Sequence, residues 1–561
     1  MLLAGRTHCL RGFTRYHGSA RSAQVAAGCL FHNLSPLDNK KVCQSIFGLG
    51  TGGLRGWHQP IAAARPACAS PAQPALQPDR RNAQTSRHYG MVTTTMENRF
   101  NNLTSKEWLP FQKSWSIVDS DDSLFRDNLR FFTLSGLEPR TVFYSGPQRP
   151  KFKTIADSLT LAVVDDSQAL NQFAMIDLRH EIRVCKCHAD ITIVLGRFIN
   201  QINQLATSII ERRFVCVLAQ NLFLNGTLVP VAWCVGKAMA SVLSLKDEKI
   251  LCKERSALNS GLAGNFVEYA LYARRDDAQR HVTEPDWTLD AFISGAAEVR
   301  LADDIPRWFV LKPPPRKKGE VLHPAKYPES LAGMFIKAFS KEWSNVLDPM
   351  SGTGSTQMAA MSLKRNAYGT ELSPLFAELA NKRVSDLRHP AQGELFPTEK
   401  EFGQFRIVQA DARQIPELGF PEISFACTSP PYWDMLNMRG AENQARRIQQ
   451  GLQTNYSSDN NDIGNIADYS IFLSELSQVY LNMFQVMQRG SYFTFVVKNI
   501  KKQGLAYPFA WDLTHRLLGS SVPIAEHFWL QDDLSIAPYG YGNTWVSNTF
   551  HHYCITMQLT S

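Results

Sequence analysis

The chain has 561 residues, 44% of them hydrophobic and 20% charged. That length calls for two or more domains, and the composition excludes a disordered, collagen-like or low-complexity chain. The net charge of +8 is no evidence for nucleic-acid binding: residues 1–90 hold 11 Lys/Arg against Asp38 and Asp79, and the remainder holds 48 basic and 49 acidic residues, so a nucleic-acid surface on the body must be a local patch.

The Arg-rich, acid-poor residues 1–90 are expected to be a disordered leader or a start extended upstream of Met91 or Met96, with an organellar transit peptide as the alternative. Residues 91–305 are expected to form an N-terminal, mixed α/β domain of unassigned role, with DNA recognition one option. Within it, 96–150 reads as mixed helix and loop. Region 160–300 reads as helical in parts, because VLGRFINQINQLATSIIERRF (194–214) carries apolar residues at helical spacing. The most apolar stretch, 215–245, is interrupted by Gln220, Asn221, Asn225 and Lys237, which argues against a membrane span.

Eleven cysteines, an odd number, suggest no disulfide framework. The cluster Cys185-Lys186-Cys187-His188 reads as strand cysteines sharing one buried face, not as a zinc site, since no second ligand pair stands nearby. No metal is expected. The run Lys312-Pro313-Pro314-Pro315-Arg316-Lys317-Lys318 reads as an extended connection into a third region, 306–561.

There the pattern alternates. A helix is expected at 327–339, with Pro328 in its first turn. A strand at 344–347, a helix at 356–363, a strand at 367–370 and a helix at 374–384 follow. Strands at 405–408 and 423–427, a helix at 469–487 and a strand at 492–497 complete the series. Strands separated by helices predict an α/β, Rossmann-like, doubly wound and mainly parallel sheet, whose ligands lie beyond the carboxyl ends of the strands.

The residues just after those strands carry the chemistry. The first strand runs into Asp348-Pro349-Met350-Ser351-Gly352-Thr353-Gly354-Ser355-Thr356. This is neither a GxGxxG fingerprint nor a Walker A loop. An acidic strand end with SGTGST suits a ligand with an amine-bearing end. Asp348 is placed to anchor that amine, with Gly352 and Gly354 passing the ligand closely. Glu371, at the end of the second strand, is placed to accept two ribose hydroxyls, and Asp411, after the third, to accept an adenine amino group. The fourth strand leads into Thr428-Ser429-Pro430-Pro431-Tyr432-Trp433-Asp434. Two prolines fix that turn, so the Ser429 hydroxyl and the Pro430 carbonyl can converge on one amino group while Tyr432 offers a face for a planar base. Asp434, Asn437 and Arg439 either contact the target or form a surface loop. The polar stretch 455–465 reads as a mobile loop. Lys498 reads as a phosphate or cofactor contact, or equally as a surface lysine.

The DPMSGTGST, GTELSP and TSPPYW stretches resemble the class I, S-adenosylmethionine-dependent DNA amino-methyltransferases, over about 310–561. The resemblance implies the class I methyltransferase fold, S-adenosylmethionine as cofactor without a metal, and double-stranded DNA as partner. Ser429, Pro430, Pro431 and Tyr432 would form the catalytic loop. Asp348, Met350, Gly352, Gly354, Glu371 and Asp411 would hold the cofactor, Met350 replacing the family's commoner Phe. HPAKYPESL (323–331) resembles the helix that precedes the first strand, which brings Lys326 and Tyr327 to the methionine end. In this family SPPY goes with cytosine N4. Adenine N6 is the first alternative and an RNA amino group the second. A restriction-modification setting in a bacterial cytoplasm would follow.

Overall fold

The computed structural model describes residues 103–560, except 277–304 (apart from Phe292), 313–326, 388–400, 436–458, 533–546 and a few single positions. The leader 1–90, Lys326, and Asn437 and Arg439 lie outside the described residues, as do residues 313–318 of the connection.

Two sheets organise the chain. The first is built from β1 (Trp115–Ile117), β2 (Thr141–Ser145), β3 (Ala162–Val164), β4 (Asn171–Asp177) and β5 (Ile209–Ala219). A hairpin of β6 (Leu222–Leu224) and β7 (Thr227–Val229) precedes β8 (Ser244–Lys253). β9 (Ser256–Leu258) and β10 (Gly261–Gly264) leave for the second sheet, and β11 (Phe266–Arg274) returns to the first. The resulting order is β1-β8-β11-β5-β4-β2-β3. β3, β2, β4 and β5 run parallel, and β11 is antiparallel to both its neighbours.

The second sheet adds β12 (Trp308–Val310), β13 (Asn345–Asp348), β14 (Asn366–Glu371), β15 (Phe405–Gln409), β16 (Ile423–Thr428) and β17 (Met487–Val497). The hairpin β18 (Ile500–Lys502) and β19 (Leu505–Tyr507) follows, then β20 (Ser521–Leu530) and β21 (His551–Leu559). Its order is β15-β14-β13-β16-β17-β21-β20-β12-β10-β9. β15 through β17 are parallel and β21 is antiparallel to β17 and β20. The chain winds outward from β13 to β15, then crosses to β16, so the topological switch point falls between β13 and β16. This is the doubly wound sheet expected for class I methyltransferases.

Local chemistry explains the elements around the switch. β13 and β16 are largely buried apolar runs, as strands covered on both faces must be. The helix Pro374–Asp386 opens with proline, where a missing N–H costs nothing. The helix Tyr469–Phe484 is capped by Asp468, which accepts the Ile471 N–H at 2.9 Å.

Residues 162–274 are helical in parts, as expected, but they also carry the strands β3 to β11. The helix His188–Ser208 stops and β5 begins at once. The apolar run therefore crosses an element boundary, and a strand buried on both faces cannot be told from a buried helix by periodicity. Cys185 and Cys187 are not on a strand. Cys185 follows the helix Arg179–Arg183, and exposed Cys187 opens the next helix, where the Asp190 carboxylate accepts the Lys186 and Cys187 N–H groups at 2.8 and 3.2 Å. Among the described residues, no helix is long and apolar enough to cross a membrane.

The first sheet is backed by an aromatic cluster centred on Phe132, which is fully buried, stacked on Phe173 (5.2 Å, 4°) and flanked by Phe214 and Tyr272. Phe132→Ala should lower stability by about 3–5 kcal/mol through lost burial and the cavity left behind. A fall in the urea midpoint with an unchanged slope is the expected reading.

Candidate functional site

The carboxyl ends of β13, β14, β15 and β16 open onto one cleft of about 670 Å³. Its walls include Pro349, Met350, Gly352, Glu371, Asp411, Ser429 and Pro431. Residues far apart in the chain, from Pro349 to Pro431, thus meet because their strands end together.

The loop after β13 is held from beneath. Asp348 is fully buried and does not line the cleft. It accepts the Thr356 hydroxyl at 2.6 Å, the Met350 N–H at 3.0 Å and the Tyr327 hydroxyl at 3.3 Å. Burial pushes its carboxyl above the usual range, against those donors. Tyr327, which is also buried, bonds Thr356 as well. The two residues clamp the loop from below. Gly352 and Gly354 both adopt positive φ (53° and 79°), which glycine accepts without strain. At Gly354 a side chain would also come within 3.1 Å of Ala380 Cβ.

The acidic wall lies above. Glu371 receives the Gly352 N–H at 2.7 Å and the Ser373 N–H at 2.9 Å. Burial outweighs those donors and raises it to about 7. Asp411 caps the turn Ala412–Glu417 and is forked by Arg413, whose Nη2 lies 2.6 Å from its Oδ2. Burial alone would raise this carboxyl, but Arg413 outweighs it and holds it below the usual range. Arg413 also bonds Glu475, which ties the third strand's loop to the helix Tyr469–Phe484.

On the opposite side, Ser429 donates to the Val496 carbonyl at 3.0 Å and stands 3.2 Å from the Tyr432 hydroxyl, which itself reaches Val496 O at 3.4 Å. Pro430 is buried. Trp433 is buried against Tyr469 and Tyr507, and Lys502 Nζ sits 3.6 Å from its ring centre while pairing with Asp434 at 2.6 Å. Asp434 is therefore tied to the β18–β19 hairpin. Lys498 is half-buried, donating to Gln531 Oε1 (3.1 Å) and Thr549 O (3.2 Å), and burial lowers it to about 8.

The wall also holds residues of the polar stretch 455–465, whose composition suggests a mobile loop. Asn461, buried Asp462 and Ile463 line the cleft. Asp462 accepts the Gly464 N–H at 2.8 Å and caps a short turn, Ile463–Asn465. The Asp-x-Gly spacing is an Asx-turn signal that could have marked them.

Residues 266–382 match the family model described as DNA methylase of the N6/N4 type. Over that segment the chain is similar to the N4-cytosine/N6-adenine DNA methylases. The matched segment spans the DPMSGTGST and GTELSP stretches and ends before the Ser429 loop. Similar relatives are a type II methyltransferase, M.BglI, from Bacillus subtilis (38% identical over 77 residues; 14% of this chain, 21% of that protein) and an orphan methyltransferase, M.BamHII, from Bacillus amyloliquefaciens (39% over 64 residues; 11% and 24%). A third is the type II methyltransferase M.HinfI from Haemophilus influenzae (36% over 84 residues; 15% and 23%). The chain thus matches between a fifth and a quarter of the length of these relatives. Among solved structures, TrmN from Thermus thermophilus aligns at 14% identity over 59% of this chain and 67% of that one, with a TM-score of 0.25.

The family's cofactor is S-adenosylmethionine, and the donor set fits it. A ribose would present two hydroxyl donors to a carboxylate such as Glu371, and no group of three metal-ligating side chains occurs among the described residues. Binding that takes the ionised form of Glu371 must weaken as pH falls below about 7, by up to about tenfold per pH unit. Calorimetric titration with S-adenosylhomocysteine between pH 5.5 and 8 should show that slope, and Glu371→Gln should flatten it while weakening binding. In the unliganded protein, Glu371 binds more protons folded than unfolded between pH 4.5 and about 7. Its contribution to stability therefore falls as pH rises through that window.

Proposed function

We propose that this protein transfers a methyl group from S-adenosylmethionine to the N4 amino group of cytosine in specific sequences of double-stranded DNA. The observation that carries the reading is the Ser429-Pro430-Pro431-Tyr432 loop, pinned to the Val496 carbonyl and facing the cleft walled by Glu371 and Asp411.

The cofactor supplies an electrophilic methyl group when bound. Glu371 would take its ribose hydroxyls, Asp411 its adenine edge, and Met350 would pack beside it. Gly352 and Gly354 keep the loop low enough for that approach, and Tyr327 and Asp348 act indirectly by clamping it. Ser429 spends its proton on Val496, so its lone pairs stay free for the substrate amino group. With the Pro430 carbonyl as second acceptor, the amino hydrogens would be held in place and the nitrogen lone pair aimed into the cleft. The same acceptors stabilise positive charge as it grows on that nitrogen. No cysteine nucleophile is called for, and Cys427 is buried at the strand end. The target base would leave the duplex to reach the loop and stack on Tyr432.

A type II or orphan methyltransferase role, with a companion endonuclease in the first case and DNA in a bacterial cytoplasm in both, is the setting this reading implies. Adenine N6 is the second reading, since the same acceptors serve any exocyclic amino group.

Ser429→Ala should reduce kcat by about 10²–10³-fold while the cofactor Kd stays within about twofold. An equal loss in both would assign Ser429 to cofactor binding instead. The substrate is decided by digesting labelled, previously unmethylated genomic DNA to nucleosides for mass spectrometry. Label in N4-methylcytosine is expected, label in N6-methyladenine would move the assignment to adenine, and an unlabelled digest would sink the DNA reading.

A further inference from the structure

The two halves of the chain repeat one another. Equating β2, β3, β4, β5, β8 and β11 with β13, β14, β16, β17, β20 and β21 reproduces the parallel and antiparallel pairings of the second sheet. β1 pairs parallel with β8 as β12 does with β20, and Trp115 lies opposite Ile250 as Trp308 lies opposite Phe528. Each fifth strand leads through a hairpin and a proline into a helix. Asn221, Gly226, Pro230, Ala232 and Trp233 recur as Asn499, Gly504, Pro508, Ala510 and Trp511, at a constant offset of 278 positions.

The halves meet about a pseudo-two-fold axis. Trp233 and Trp511 stack on each other, 6.1 Å apart at 11°. Asn499 Nδ2 donates to Glu248 at 2.8 Å, and Asn221 Nδ2 donates to Glu526 at 3.0 Å. Trp115 Nε1 donates to Gln531 O, and Trp308 Nε1 to Lys253 O, both at 3.0 Å. Each contact has its reciprocal, as an isologous dimer interface requires.

The first half is closed at its own strand ends. Following the ladder registers, Asp348 corresponds to Tyr144, Glu371 to Ser167, and Ser429-Pro430-Pro431-Tyr432 to Asp177-Leu178-Arg179-His180. Among the described residues, the first sheet has no strand equivalent to β15. Where the second half has a cleft, buried Arg179 holds Asp177 (2.7 Å) and Glu268 (2.8 Å). A Cβ on Gly146 would meet Asp177 Cβ at 2.7 Å.

We propose that residues 115–274 are a degenerate second copy of the methyltransferase domain, that it holds no cofactor and stands where the second subunit of a dimer would stand, and that its Glu248 is a positioning residue for the Ser429 loop. Glu248 fixes Asn499, two residues beyond the end of β17, and the β17 carbonyl of Val496 holds Ser429 and Tyr432. The symmetry-related Glu526 fixes Asn221, two residues beyond β5. There the carbonyl matching Val496, that of Leu218, accepts the Leu178 N–H at 2.9 Å, a backbone group where the second half has the Ser429 and Tyr432 hydroxyls. The role of Glu248 in turnover rests on the methyltransferase reading; the cofactor count and the loop's order do not.

Three measurements on the full chain test this. S-adenosylhomocysteine calorimetry should give one site per chain, and two would overturn the degeneracy. Glu248→Gln and Glu526→Gln should lower Tm alike. Hydrogen exchange of the peptide covering 427–434 should speed up severalfold in E248Q and stay unchanged in E526Q. With substrate DNA, kcat should fall about tenfold in E248Q and stay within about twofold in E526Q. Equal loop exchange in the two variants would overturn the positioning role whether or not the protein turns over DNA, and a wild type that binds cofactor without methylating would count against the proposed function alone.

Discussion

Four parallel strands that end along one line are the constraint on which the rest of the molecule depends. β13, β14, β15 and β16 share one ladder direction, so each delivers the residue after its last hydrogen-bonded position to the same edge. At the switch point the helices following β13 and β16 pack into different cores of the sheet and leave a crevice between them. The sequence needs only small residues and acceptors at those four positions. Everything chemically specific about the cleft is local to a few residues after each strand, while its depth and direction come from the whole sheet.

Within that crevice the carboxylates divide by burial. Asp348, fully enclosed, spends its lone pairs on Thr356, Met350 and Tyr327. It holds the loop's shape and has no open side for a ligand. Glu371 is half-buried at the cleft wall, and its two N–H donors leave it above the ordinary carboxylate range, a group that a hydroxyl-bearing ligand can discharge or reorient. Asp411 is already neutralised by Arg413. Three acidic residues after three strands look equivalent in a sequence. Their surroundings give them three different electrostatic characters.

This is also where the sequence stops being legible. The strands and helices from 329 to 497 were readable because a parallel sheet writes them as short apolar runs between capped helices, and the observed ends differ from the expected ones by a few residues. The placement of Asp348 beneath the cleft was not readable, because burial depends on Tyr327 and Thr356 arriving from elsewhere. Asp462 and Ile463 were hidden for a similar reason, since polar composition suggested mobility while an Asx turn and the neighbouring helix fix them. β20 and β21 escaped because their register is set by pairing with β17 and with each other, not by periodicity of their own. The strand Ile209–Ala219 escaped because it begins where the helix His188–Ser208 ends, without a break.

The internal repeat was equally hidden, and the reason bears on how such a chain can diverge. The residues that recur are the ones at the shared axis: Asn, Gly, Pro, Ala and Trp of the hairpin and helix, and the two glutamates that cross it. An interface residue in a pseudo-symmetric pair is constrained twice, because its counterpart's partner lies in its own half. A strand-end residue in the half whose strand ends are closed is constrained only by packing, and Tyr144, Asp177 and Arg179 could stand in place of Asp348, Ser429 and Pro431 as long as the charges were paired. Divergence therefore erases the motif that names the activity and keeps the contacts that join the halves. A search for catalytic signatures finds one domain where the hydrogen-bond pattern holds two.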